Sequence, residues 1–237
     1  MIRLATTMRI SNVWMLEHGG ERFLVDTGYP IERPLLRRWL HACGVRKKGD
    51  LSGVILTHRH SDHAGNAAWL RHTYDAPIIC HEADAKILDG RVPAPKLCGH
   101  HKQMPHEWFL SAFEDRYPAR VKVDEELSEG RWREVFQVIH TPGHTEGSIM
   151  LRHLPTESLF SGDVIIAGYA PLRAIERLSL AMPGFSLAVD EAHATTRAFL
   201  RRLDEIEQVG TLCAGHGPMV NENTVAKLRK LVHGHVI

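Results

Sequence analysis

His58-Arg59-His60-Ser61-Asp62-His63 places three imidazoles and one carboxylate within six residues. Borderline-soft divalent cations, zinc above all, take this mixture of nitrogen and carboxylate oxygen. The spacing narrows the geometry. A zincin sets its two histidines four apart, on one face of a helix. His58 and His60 are two apart, so they share a face only in extended backbone. The segment is therefore expected on the loop after a strand, with Asp62 and His63 turned towards a second ion.

Three further strand ends carry the same kind of residue. Val138-Ile139-His140-Thr141-Pro142-Gly143-His144 delivers a histidine after a Pro-Gly turn. Leu159-Phe160-Ser161-Gly162-Asp163 delivers an aspartate, and Leu212-Cys213-Ala214-Gly215-His216-Gly217-Pro218 another histidine. Each follows an apolar run and sits beside glycine, where backbone can approach closely. Loops at one edge of a rigid sheet could bring all of them together.

The elements that must hold these loops are legible from periodicity. Val13–Glu17 and Arg22–Val25, separated by Gly19-Gly20, read as a β-hairpin. Leu35, Leu36, Trp39 and Leu40 recur at helical spacing, with Gly44 as the stop. The arginines and lysines between 33 and 48 read as a solvated face. Leu51–Thr57 is a strand leading into His58. A helix is expected from Ala64 to Tyr74, a strand at Ala76–Cys80 and a helix from Glu82 to Leu88. Strands follow at Arg120–Val123, Arg131–Ile139, Ser148–Leu154, Ser158–Phe160 and Thr211–Ala214. Helices are expected at Leu187–Ile206 and Asn221–Val232. Strands and helices in two successive runs suit stacked layers with helices outside.

Two stretches interrupt this regularity. From Gly90 to Tyr117, prolines 93, 95 and 105 break regular structure, and Trp108, Phe109 and Phe113 suggest one amphipathic turn or short helix. Its Cys98, His100, His101 and His106 fit either a loop without chemical consequence or a substrate-gating lid. Residues 167–185, with Tyr169, Leu172 and Phe185, form the second stretch. Together the two stretches fit either the walls of a pocket for an apolar acyl group or ordinary core packing.

Composition excludes several classes. With a net charge of +1 over 237 residues, no basic excess points to nucleic acid. No apolar run is long enough to span a bilayer, and the N-terminus has no signal-peptide pattern. Cys43, Cys80, Cys98 and Cys213 are scattered without a CxxC pair, as in a reduced cytoplasmic protein, and read as small buried hydrophobes. One domain spanning 1–237 and a small-molecule substrate are expected, with no nucleic-acid or membrane partner. The sequence does not specify an oligomeric state.

The chain resembles the metallo-β-lactamase-fold hydrolases. The resemblance rests on Asp26-Thr27-Gly28, the His58–His63 motif, His144 in Thr-Pro-Gly-His-Thr, Asp163 in Ser-Gly-Asp and His216 in Gly-His-Gly-Pro. It runs from about residue 10 to 220. It implies an α/β fold, a four-layer αββα sandwich with the site along one edge of two sheets. It further implies that His58, His60 and His144 hold one ion, that Asp62, His63 and His216 hold a second, and that Asp163 bridges both. Asp26 would orient a ligand from behind. His81 and His140 fall near the same edge with open roles.

A binuclear site of this kind implies hydrolysis by a hydroxide shared between two divalent ions, without a serine or cysteine nucleophile. Zinc is expected first, although imidazole and carboxylate suit iron and manganese too. Asp62 is the expected catalytic carboxylate, orienting the nucleophile and passing its proton to the leaving atom. Asp163 argues against antibiotic hydrolysis, because the true β-lactamases of this fold lack the bridging aspartate. His60 stands where the oxygen-reducing diiron relatives carry glutamate. What remains is a thioesterase similar to the glyoxalase II group, or a lactonase with Tyr169 as the nearest counterpart of a tyrosine found in some of them. About twenty residues follow His216, so the glutathione-contacting helical domain of the glyoxalase II group is not expected. The alternatives are a persulfide dioxygenase with one iron on His58, His144 and Asp163, or a non-catalytic binding module on the same fold.

Overall fold

The computed structural model describes the whole chain except residues 6, 7, 9, 98–104, 169–175, 181–185, 203–208 and 234–237. The readings made above for Cys98, His100, His101, Tyr169, Leu172 and Phe185 lie outside the described residues.

Two sheets form the centre. The first contains β1 (Ile2–Leu4), β2 (Trp14–His18), β3 (Glu21–Val25), β4 (Gly53–Ile55), β5 (Ile78–His81) and β6 (Glu125–Leu127), in that spatial order. The second contains β7 (Gly130–Trp132), β8 (Phe136–His140), β9 (Ile149–His153), β10 (Ser158–Gly162) and β13 (Thr211–Ala214), ordered β13-β10-β9-β8-β7. A short antiparallel pair, β11 (Ile165–Ile166) with β12 (Ser179–Leu180), lies apart.

Period-two alternation explains the layering. Trp14, Leu16, Phe23, Val25, Ile55 and Ile79 face the second sheet, where Phe136, Val138, Leu151 and Phe160 meet them. The intervening residues Met15, Leu24, Val54, Ile78 and Cys80 face outwards. They pack under α1 (Arg33–Ala42), α3 (Ala67–Tyr74) and α4 (Glu82–Leu88) through Leu36, Leu40, Leu70, Tyr74 and Leu88. On the far side Leu159, Leu212 and Ala214 pack under α6 (Val189–Arg201) and α7 (Thr224–His233), meeting Phe199, Leu200, Leu228 and Leu231. The result is helix, sheet, sheet, helix, an αββα sandwich.

Strand direction gathers the functional loops. β3, β4 and β5 run parallel, so their C-terminal ends share one edge. β10 is parallel to β13 and antiparallel to β9, which is antiparallel to β8, so β8, β10 and β13 also end together. Cross-sheet bonds bring the two edges into contact. Ile149 N–H donates to Thr57 O at 2.9 Å, and the Trp14 indole donates to Ala214 O at 3.1 Å.

The structure corrects several boundaries. Residues 120–123 form no strand. Their place in the sheet is taken by β6, where the Asp124 carboxylate accepts from Ile78 N–H and Arg71. The expected single strand Arg131–Ile139 is two strands of a hairpin. It turns at Arg133 and Glu134, both left-handed without a glycine to announce it (φ 47° and 57°). The helix expected from Ala64 to Tyr74 is α3, which starts at Ala67, and a separate helical turn, α2 (Ser61–Ala64), precedes it. They are separated by Asn66, whose side-chain amide donates to the carbonyls of Thr27, Gly28 and Tyr29. The short helix expected within 90–117 is α5 (Pro105–Arg116), three full turns.

Candidate metal centre

His58 and His60 lie on the loop between β4 and α2, with His60 in extended backbone as its N-cap, and Asp62 and His63 sit within α2. His144 follows β8, Asp163 follows β10 and His216 follows β13. All seven converge. The donor atoms form two groups, His58/His60/His144 and Asp62/His63/Asp163/His216, each with its atoms within 4.8 Å of one another.

In the first group, His144 Nε2 lies 3.2 Å from His58 Nε2 and 3.0 Å from His60 Nδ1. Three imidazole nitrogens cannot satisfy one another at these separations, because each pair needs a proton that the third must lack. Burial, joined by the neighbouring imidazoles, drives His58 and His60 well below the usual histidine pKa. Burial likewise takes His144 down to about 4. Three neutral imidazoles with converging lone pairs suit a cation held at about 2.0–2.1 Å from each nitrogen.

In the second group, Asp62 Oδ2 lies 3.4 Å from His63 Nε2 and 3.3 Å from His216 Nε2. Asp163 sits between the groups. Its Oδ1 is 3.1 Å from His63 Nε2, and its Oδ2 is 3.2 Å from His216 Nε2 and 3.7 Å from His144 Nε2. Close as they are, His63 Nε2 and Asp163 Oδ1 are not aligned for a hydrogen bond, and neither buried atom has another hydrogen-bond partner. Burial opposes charge on every member. The opposed charges outweigh it, holding Asp62 and Asp163 well below the carboxylate range and His63 well above the histidine range, with His216 lifted to about 10. Those imidazole protons occupy the positions that a cation would take, and metal binding must displace them. The donor set fits divalent ions in both groups.

The nitrogen facing away from the centre is held in four of the five imidazoles. His58 Nδ1 lies 3.1 Å from Thr57 Oγ1, and His144 Nδ1 lies 3.3 Å from Ser186 Oγ. His216 Nδ1 donates to Ile10 O at 2.8 Å, and His63 Nδ1 lies 2.8 Å from Asp26 Oδ2. Such partners fix tautomer and ring orientation. Gly215 is required by closeness. A Cβ there would press on Asp163 Oδ1 and lie 2.7 Å from His63 Cε1.

Sequence reasoning missed Asp84. It is fully buried at the third position of α4 and ties the two loops of the first group together. Its Oδ2 accepts from Arg59 N–H at 2.9 Å and Thr145 Oγ1–H at 2.7 Å, and its Oδ1 accepts from Gly147 N–H at 3.0 Å. An acid in the first turn of an amphipathic helix carries no distinguishing signal, so only the fold reveals it. His81 and His140 stack on each other at 4.0 Å. His81 caps α4 by accepting from Ala83 N–H, and His140 Nε2 meets Glu146 O. Neither belongs to a donor group.

A sandwich of this topology with donor loops along one sheet edge defines a metallohydrolase-type fold. The chain belongs to the metallo-beta-lactamase superfamily, whose pattern it matches over residues 6–216. It is 27% identical over 171 residues to the probable metallo-hydrolase YybB of Bacillus subtilis, covering 71% of this chain and 69% of that one. It is 30% identical over 146 residues to a hydroxyacylglutathione hydrolase of Bdellovibrio bacteriovorus, covering 55% of this chain but only 46% of that protein. Among solved structures, the BLEG-1 B3 metallo-beta-lactamase superposes with a TM-score of 0.63 at 22% identity, covering 99% and 98% of the two chains. No helix among the described residues is long and apolar enough to cross a membrane.

Proposed function

We propose that this protein is a hydrolase of small-molecule esters, thioesters first, working with two divalent ions, zinc first. The observation that carries the reading is the position of Asp163, with one carboxylate between two complete donor groups. Ions held there would supply Lewis acidity, lowering the pKa of a water towards 7 and stabilising charge on a carbonyl oxygen.

The chain's own residues supply the rest. Asp62 is the most exposed of the donors, at 23% of its side chain, and so faces solvent as well as His63 and His216. Its carboxylate could accept a proton from the attacking water and deliver it to the leaving atom. A thiolate leaves without strong acid, which suits a site whose most exposed donor is a carboxylate. The likeness to a hydroxyacylglutathione hydrolase supports the thioester choice. That likeness covers under half of the relative, so glutathione is not carried over as the thiol.

The test is metal content by elemental analysis of protein purified without chelator, followed by thioester and lactone panels. The expected result is about two zinc ions per chain and thioester turnover that chelation abolishes and zinc restores. About one iron with little zinc, and oxygen uptake on a persulfide, would replace this reading with sulfur oxygenation. Full metal without turnover on any ester would leave a binding module.

A further inference from the structure

Among its described residues, helix α5 turns polar side chains inwards and aromatic ones outwards. An amphipathic surface helix turns its apolar stripe to the core and its charges to water. Here Ser111 is fully buried. The Glu114 carboxylate accepts from Ser61 N–H at 3.1–3.2 Å, and the Asp115 carboxylate accepts from Leu97 N–H at 2.7 Å. Phe109, Phe113 and Tyr117 are left 65%, 39% and 58% exposed. They recur every four residues and so form one stripe. At 1.5 Å per residue the stripe is about 12 Å long, roughly an extended chain of eight to ten carbons.

The stripe is continuous with the metal centre. Ser61, which Glu114 holds, opens the helix that carries Asp62 and His63, and its hydroxyl donates to Tyr117 O at 3.2 Å. Tyr29 lies 6.1 Å from Phe113 ring to ring, and Phe113 lies 5.0 Å from Tyr117. On the side of His216, Ile10 is 39% exposed while its carbonyl holds that ligand. Contiguous exposed apolar surface at a polar site marks a binding surface.

We infer that the substrate's acyl portion is an apolar chain or ring laid along Tyr29, Phe113 and Tyr117, with its carbonyl at the metal centre. This rests on the hydrolase reading and names the substrate class within it. The occupant is assigned by continuity, since the Tyr117 carbonyl at the end of the stripe accepts from the hydroxyl of Ser61, the neighbour of Asp62.

The experiment is a series of acyl-N-acetylcysteamine thioesters from acetyl to decanoyl, turned over by the metal-loaded protein. Transfer of each methylene onto the stripe should raise kcat/KM about two- to four-fold until the stripe is filled. The decanoyl-to-acetyl ratio should fall at least ten-fold in Phe113→Ser and Tyr117→Ser. Both sites are exposed, so folding should persist. Val92→Ala, at an exposed apolar residue outside the stripe, should leave the ratio unchanged. A flat chain-length profile with good acetyl turnover would overturn the inference. So would a dimer dissociated by Phe113→Ser, or binding to phosphatidylcholine vesicles without chain-length preference. If no ester is turned over, the hydrolase reading fails separately, and equilibrium titration with decanoate and acetate still decides. Decanoate binding at least ten-fold tighter than acetate, and lost in Phe113→Ser, supports the stripe; equal or absent binding removes it.

Discussion

His63 Nδ1 lies 2.8 Å from Asp26 Oδ2, and the same carboxylate reaches the other donor group through Thr57. Asp26 accepts the Thr57 N–H at 2.8 Å and its hydroxyl at 2.8–3.1 Å, and that hydroxyl lies 3.1 Å from His58 Nδ1. One buried carboxylate thus sets an imidazole in each group. Asp26→Ala should weaken metal binding about 10- to 100-fold, measured by competition with a chromophoric chelator. Asp26 also has left-handed backbone (φ 61°), which asparagine tolerates and alanine does not. Asp26→Asn separates the two effects. It should fold as well as the parent yet still bind metal more weakly. Unaltered affinity in both variants would remove the orienting role.

Asp84 makes a different demand, on stability. Its replacement by alanine leaves the N–H groups of Arg59 and Gly147 without an acceptor in the core and the Thr145 hydroxyl with Ser148 Oγ alone. It also strips the buried Arg59 guanidinium of its one buried counter-charge among the described residues, 3.8 Å away. The loss should be about 3–5 kcal/mol, the usual cost of removing one partner from a buried charged network. Urea unfolding of metal-free protein reads it directly. A loss below about 1 kcal/mol would show that water or a rearranged loop replaces the carboxylate.

Asp62→Asn tests the proposed chemistry. The amide keeps an oxygen towards His63 and His216 but cannot take up a proton from water. Turnover should fall about 10²- to 10⁴-fold, the usual share of a positioned acid–base group, with KM changed far less. Metal content must be measured alongside, because Asp62 also belongs to the second donor group. Near-normal kcat at full metal content would take Asp62 out of the proton path.

The donor residues were legible because chemistry concentrates in sequence there. Four of the seven lie in one hexapeptide, and the other three each follow an apolar strand beside glycine. Asp26 was legible only through the resemblance. The supporting residues were not. Asp84, Glu114 and Ser186 are ordinary polar residues on helices or loops, and their roles exist only once distant segments pack. The β7–β8 turn failed for a local reason, since Arg133 and Glu134 hold left-handed backbone that their residue types do not advertise. α5 failed for the opposite reason. Its aromatic stripe has helical spacing, but periodicity does not say whether a stripe faces the core or solvent.

Glu114 should make stability fall as pH rises. Burial lifts its carboxyl from the ordinary 4.5 to about 7, assisted by the charge on Asp62 and opposed by the Ser61 hydrogen bonds. Between those two values the folded protein holds a proton that the unfolded chain has released. Unfolding is therefore favoured increasingly across that window, and the effect levels off above it. The shift corresponds to about 3 kcal/mol at full burial, and about 1–3 kcal/mol once the partial exposure of this side chain is allowed for. Glu114→Gln stays neutral throughout and keeps an oxygen for Ser61. Its stability relative to the parent should therefore rise by that amount from pH 5 to pH 8, measured as urea unfolding of metal-free protein. A difference independent of pH would show that the Glu114 carboxyl titrates as if in water, and that the latch between α5 and the ligand helix α2 is open in solution.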